Sequence, residues 1–317
     1  MLFRSATTDA QVVEKDITWE IGRAHPARSE EHTPRDRKST RLTTDLKEAI
    51  EGKDMLVLAV PSPFTRSTAK AMSPFVAEGQ LIVSVAKGIE ENTLMTLSEI
   101  IMEEIPQCEV AVLCGPSHAE EVGKEIPTSL VAGAKKRATA ELVQNTFMSE
   151  VLRVYTSPDV LGMEIGASLK NVIALAAGMA DGLGYGDNTK AALITRGISE
   201  MGRLALAMGA KYETLSGLTG MGDLIVTCAS KHSRNRRAGY LMGQGYTMQQ
   251  AMDEVKMVVE GVYSAKAAIA LAKKYHVDMP IIEQVNEVLF EDKPAKDAVK
   301  ELMLRDKKVE HDDLEWQ

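Results

Sequence analysis

The sequence predicts an α/β domain built on a parallel sheet, followed by an all-helical domain. Three observations predict it. Short, unbroken apolar runs recur at Met55-Leu56-Val57-Leu58-Ala59-Val60, Leu81-Ile82-Val83-Ser84-Val85 and Val110-Ala111-Val112-Leu113. Helix-like text separates them, as at 92–104 and 138–147. After Ser157 the strand signals stop. Strands buried on both faces read as continuous apolar runs, and their alternation with helices implies crossover connections. At 317 residues the chain has room for two such domains.

The first forty residues stand apart. Residues 23–41 hold nine charged side chains and no Val, Ile, Leu, Met, Phe, Trp or Tyr. Such text cannot bury enough surface to offset its ordering entropy. We read residues 1–42 as a disordered or foreign leader. Thr44-Asp45-Leu46-Lys47-Glu48-Ala49-Ile50 then reads as a capped short helix, and the first apolar run ends at Pro61. Thr128-Ser129-Leu130-Val131-Ala132-Gly133 reads as a fourth, weaker strand. The first domain is therefore drawn over 43–157 and the helical domain over 158–317. Ser157-Pro158 opens the second as an N-cap with proline at the first helical position. Helices are expected to about residue 180, then at 188–208, 248–255, 264–275 and 280–290.

Composition narrows the function. Apolar residues at 44% and charged residues at 26% suit a chain with a sizeable core, not a disordered or disulfide-stapled one. A net charge of −8 argues against a general nucleic-acid binder. Cys108, Cys114 and Cys228 show no C-x-x-C spacing, so neither a disulfide nor a metal is expected, and a reducing compartment fits. No apolar run reaches the roughly 18–20 residues of a membrane span, and no apolar core marks a signal peptide. The expectation is a cytoplasmic chain with no membrane span.

Ligands of open α/β sheets sit at the carboxyl ends of the strands. Pro61-Ser62-Pro63, Ala86-Lys87-Gly88 and Cys114-Gly115-Pro116-Ser117-His118-Ala119 follow successive strands, each joining small residues to a polar group. In the long helix, the i, i+4 face through Lys170 reads Gly162, Gly166, Lys170, Ala174, Gly178. One cationic side chain thus rises from a stripe of small residues, as a proton donor or acceptor in a crevice does. The alternative is a lysine snorkelling to solvent. Gly217-Leu218-Thr219-Gly220-Met221-Gly222-Asp223 leads to Lys231-His232-Ser233-Arg234-Asn235-Arg236-Arg237. Hydroxyl, amide and guanidinium groups there form a ready phosphate site, against the alternative of a solvated basic face.

These residues resemble the bacterial-type NAD(P)-dependent glycerol-3-phosphate dehydrogenase family, from about Thr43 to Glu310. The resemblance rests on Leu58-Ala59-Val60-Pro61-Ser62, Ser84-Val85-Ala86-Lys87-Gly88, Gly115-Pro116-Ser117, Leu169-Lys170-Asn171-Val172, Gly220-Met221-Gly222-Asp223-Leu224, Ser233–Arg237 and Val258-Val259-Glu260-Gly261. It implies a Rossmann-type domain followed by an all-α domain, here with the N-terminal βαβ unit lost or atypical. It further implies interconversion of dihydroxyacetone phosphate and sn-glycerol 3-phosphate for glycerophospholipid synthesis, with NADPH or NADH, no metal, and a homodimer. By motif, Lys170 is the catalytic proton acceptor and donor. Lys87, Gly115, Ser117, Lys170, Asp223, Ser233, Arg234 and Asn235 contact substrate, and Lys87, Ala119, Arg234, Val258 and Glu260 contact cofactor. His118 stands where the family usually has Phe, a change expected at the rim.

The chain departs from the family before Thr43, where Gly22 stands alone and no G-x-G-x-x-G/A turn exists. That turn supplies the N–H groups that hold a pyrophosphate. Weak cofactor binding and an open edge on the first apolar strand are therefore expected. Two further readings remain: a truncated or chimeric member that binds the phosphate substrate with little dehydrogenase activity, and a Rossmann-plus-helical dehydrogenase for a sugar acid. The choice between NADH and NADPH stays open.

Overall fold

The computed structural model describes Leu2–Phe3 and residues 43–307, 309 and 310. Apart from Leu2–Phe3, the leader read at 1–42 and its missing glycine turn lie outside these residues. The first domain runs β1 (Leu2–Phe3), α1 (Leu46–Ile50), β2 (Met55–Leu58), α2 (Thr65–Met72), β3 (Leu81–Ser84), α3 (Leu97–Glu104) and β4 (Glu109–Cys114). It continues through α4 (Ala119–Val122), β5 (Thr128–Ala134), α5 (Arg137–Phe147) and β6 (Leu152–Ser157). Among the described residues these strands form one sheet in chain order, β1 to β6.

The two faces of the sheet are filled differently. Leu56, Leu58 and Ile82 pack with Met72, Ile101 and Ile105 on one side. Leu81, Val83, Ala111 and Leu113 pack with Ala140 and Val143 on the other. Burial on both faces is why these strands lack polar alternation. Pairing is parallel from β1 to β4 and from β5 to β6. Between β4 and β5 it is antiparallel, with Cys114 opposite Val131, so the expected parallel sheet carries one reversed junction. The connection holds only the one-turn α4 and no full helix to pack back across the sheet. The edge of β2 is not wholly open either, because Leu2 pairs with Val57 and Phe3 with Leu58.

Helices alone follow. They are α6 (Val160–Gly182), α7 (Asp187–Ala207), α8 (Tyr212–Leu215), α9 (Asp223–Ala229) and α10 (Arg234–Gly243). Then come α11 (Met248–Val255), α12 (Glu260–Tyr275), α13 (Pro280–Phe290) and α14 (Ala295–Met303). The cap of α6 is Asp159, which accepts from the Gly162 N–H, and not Ser157. Ser157 instead accepts from the Asp159 N–H through its hydroxyl. By length and composition α6 is apolar enough to cross a bilayer, but 83% of that window is buried inside the protein. It is the axis on which α7, α9, α10 and α12 pack.

The small-residue stripe on α6 has a packing role. A Cβ on Gly178 would strike the Arg236 carbonyl, and one on Gly182 the Tyr240 carbonyl. From the other side, Gly239 and Gly243 of α10 lie against the carbonyls of Leu175 and Met179. The two helices therefore meet main chain to main chain, a separation only glycine permits.

Candidate active site

Parallel β2, β3 and β4 deliver three loops to one edge of the sheet. Ser62 follows β2, Lys87 and Gly88 follow β3, and Gly115 to Ala119 follow β4. Helices α6, α9, α10 and α12 close against that edge, bringing Lys170, Asp223, Thr227, Arg234, Asn235 and Glu260.

Asp223 is the hub. Its Oδ1 accepts from Lys170 Nζ and its Oδ2 from Lys87 Nζ, both at 2.6 Å. Lys87 also donates to the Gly115 carbonyl at 3.0 Å, and Lys170 to Thr227 Oγ1 at 2.6 Å. Gly115 takes φ +144°, a left-handed conformation that aims this carbonyl inward and that side chains disfavour. Ser117 Oγ donates to the same oxygen at 3.1 Å, and Ala119 begins α4 just beyond. Lys170 does not snorkel; it is 4% exposed and Asp223 1%.

Burial sets the electrostatics. Desolvation pulls the Lys170 ammonium down to about 8, opposed by Asp223 and reinforced by Lys87. Burial alone would raise Asp223, but Lys170 and Lys87 together hold its carboxyl below the ordinary range. Two cations thus share one carboxylate, leaving surplus positive charge suited to a developing oxyanion or a bound anion. The thiols of Cys114 and Cys228 are pushed up to about 12 by burial and stay protonated. Among the described residues no group of three or more His, Cys, Asp or Glu converges as metal ligands do.

The basic segment is less uniform than its sequence. Ser233 caps α10, its hydroxyl accepting from the Arg236 N–H. Arg236 is neutralised by Asp181 at 2.6 Å and Arg237 faces Glu254 at 3.6 Å. These two cations therefore leave the predicted phosphate cluster, because helix α10 turns them towards partners far away in sequence. Arg234 remains, donating one N–H to the Val258 carbonyl at 3.0 Å. Asn235 donates from Nδ2 to Asn171 Oδ1 at 2.9 Å and accepts from the Gly261 N–H at 2.8 Å. It ties α10 to the residue after Lys170 and to the start of α12.

Glu260 accepts from the Ser62 backbone N–H at 3.1 Å and from the Ser62 hydroxyl. The pair links the end of β2 to α12, and burial raises the Glu260 carboxyl. At Gly88 a Cβ would fall on Ser62, so the β2 and β3 loops touch here. A carboxylate that can accept from hydroxyl or amide groups, beside a guanidinium that can donate to phosphate, is a donor set that fits a dinucleotide.

Sequence reasoning missed Thr227 and Asn171. Thr227 lies one turn beyond Asp223 on α9, so an Asp-x-x-x-Thr spacing was the available signal. Asn171 directly follows Lys170, and no periodicity marks its partner.

Known proteins match this chain over most of its length. The family described as NAD-dependent glycerol-3-phosphate dehydrogenase matches by its N-terminus over residues 31–140 and by its C-terminus over 159–300. Glycerol-3-phosphate dehydrogenase (NAD(P)+) of Agathobacter rectalis is 73% identical over 278 residues, 88% of this chain and 83% of that one. The protein of the same name from Bacillus subtilis is 48% identical over 304 residues, 94% and 88% of the two chains. Among solved structures, glycerol-3-phosphate dehydrogenase of Coxiella burnetii superposes with a TM-score of 0.80 at 37% identity, covering 82% of this chain and 80% of that one.

Proposed function

The chain belongs to the NAD-dependent glycerol-3-phosphate dehydrogenase family, and from that premise we propose how its site interconverts dihydroxyacetone phosphate and sn-glycerol 3-phosphate. The observation that carries the reading is the sharing of Asp223 by Lys170 and Lys87 at 2.6 Å each. It sets a proton-bearing lysine of depressed affinity in a buried, positively biased pocket.

Lys170 gives its proton to the substrate C2 oxygen during reduction and takes it back during oxidation. Asp223 holds the ammonium in place, and Thr227 fixes its second direction. Lys87 adds a further cation against charge developing on that oxygen. Gly115 anchors Lys87 through its carbonyl, while Ser117 lines the rim. Arg234 takes the substrate phosphate as a forked donor. Ser233 orients the first turn of α10, and Asn235 keeps one Nδ2 N–H for the phosphate beyond the one given to Asn171. Lys87, Ala119, Arg234, Val258 and Glu260 would hold the nicotinamide cofactor. That group supplies the hydride to C2 or accepts it from C2 when bound.

The resemblance supports NADPH or NADH as the cofactor and no metal. It also supports a cytoplasmic homodimer whose product feeds glycerophospholipid synthesis. The net charge of −8 argues against nucleic acid as the ligand, and the family resemblance supports a small phosphorylated substrate. The direct test is dihydroxyacetone phosphate-dependent oxidation of NADPH or NADH by the full chain. Consumption without phosphorylated substrate, or none with it, would count against the reading.

A further inference from the structure

His118 is the feature of this pocket that no role above uses. It precedes α4 in the loop after β4, and its Nε2 is buried without a hydrogen-bond partner. Leaving a buried polar nitrogen unpaired is costly unless a ligand completes it. The charges that act on the ring are those of Lys170, Lys87, Asp223 and Glu120. Burial and the two lysines hold its proton affinity below the ordinary value, so at neutral pH the imidazole is uncharged. It then offers one N–H and one bare nitrogen, the pair that matches a hydroxyl or a carbonyl. Its other neighbour is His232, whose ring centroid lies 6.2 Å away on the segment leading to Arg234. The ring thus faces the segment that leads into α10.

We propose that His118 is a specificity-determining contact whose Nε2 hydrogen-bonds an oxygen on the carbon chain of the three-carbon phosphorylated substrate, not an oxygen of its phosphate. The assignment rests on reading the pocket as a glycerol-phosphate site. His118 follows by three residues Gly115, whose carbonyl holds Lys87 beside Asp223, and this ties it to the end where C2 reacts under that reading. A phenyl ring fills similar volume but cannot make this bond, so His118 adds a polar contact to the pocket.

Calorimetric titration of the full chain tests it, using glycerol 3-phosphate and separately inorganic phosphate, with and without NADPH. Glycerol 3-phosphate and NADPH are both reduced, so no turnover intervenes. His118→Phe is expected to bind glycerol 3-phosphate at least threefold more weakly, the effect of one neutral hydrogen bond. Its affinity for inorganic phosphate should match the parent, and His118→Gln should keep parental affinity for both. A smaller loss in His118→Phe, an equal loss for inorganic phosphate, or an equal loss in His118→Gln would each overturn the assignment alone. A parent chain that binds no glycerol 3-phosphate in either condition would instead overturn the substrate reading, and this inference with it.

Discussion

Asn235 donates to Asn171 at 2.9 Å, joining the residue after Arg234 to the residue after Lys170. One amide pair thereby fixes α10 to α6. Asn235→Ala should leave the Gly261 N–H and Asn171 Oδ1 unsatisfied in a buried place. A loss of about 1–3 kcal/mol in unfolding free energy is expected. Urea denaturation measures it, and an unchanged midpoint would show that water replaces the side chain.

Removing the amine of Lys170 should abolish turnover and spare binding. Lys170→Met is expected to lower kcat by about two to four powers of ten. Glycerol 3-phosphate affinity should stay within a few-fold, because Lys87 still compensates Asp223. Steady-state rates beside calorimetry separate the two effects. Turnover within tenfold of the parent would remove Lys170 from proton transfer.

Arg234 should discriminate by phosphate. Arg234→Ala is expected to weaken dihydroxyacetone phosphate by about 1.5–3 kcal/mol, the range for a hydrogen bond to a charged group. Unphosphorylated dihydroxyacetone should change far less. Comparing kcat/KM for the two substrates reads this directly, and equal losses would confine Arg234 to the cofactor or to its Val258 contact.

The pH dependence should invert with direction. Reduction needs the Lys170 ammonium, and burial brings that group down to about 8. The reductive kcat/KM should therefore fall as pH rises through about 8, towards tenfold per unit. Oxidation needs the free amine, so its rate should climb to about pH 8 and then level. Rate profiles in both directions test this, and parallel profiles would assign the titration to another group.

A second titration concerns stability. Glu200 accepts from the N–H groups of Ile281 and Ile282 at the start of α13. Burial nevertheless raises its carboxyl from 4.5 to about 7, against those two donors. The folded chain then binds its proton more tightly than the unfolded chain. This group's penalty is absent below about pH 4.5 and grows to on the order of 3 kcal/mol above pH 7. Glu200→Gln should gain stability relative to the parent between pH 5 and pH 8. A constant difference across that range would show that the carboxyl ionises normally.

What the sequence disclosed follows burial and locality. β2, β3 and β4 were legible because both faces are covered, as at Leu56 and Val83. β6 was not, since Val154 is buried while Tyr155 beside it is 48% exposed, a mixed pattern on a six-residue strand. The reversal between β4 and β5 has no signature in periodicity. At the site, Lys170 and Asp223 stood out through their small-residue and glycine-rich surroundings. The pairing of Ser62 with Glu260 spans 198 positions, and only the closed fold brings them together. Arg236 misled for the same reason, its partner Asp181 lying on a different helix.

The glycine contact between α6 and α10 bears on which substrates can fit. Gly178 and Gly182 meet Arg236 and Tyr240 with no side chain between them. The spacing of the α6 and α10 backbones, which carry Lys170 and Arg234, is therefore set by atomic radii of the main chain. Rotamer changes move the two head groups but not the helices that carry them. Under the proposed roles, a phosphorylated ketone with one carbon more or fewer between its carbonyl and its phosphate would have to be met by side-chain adjustment alone. The helix pair thus supplies a fixed frame, and adjustment to a ligand is left to the two long side chains it carries.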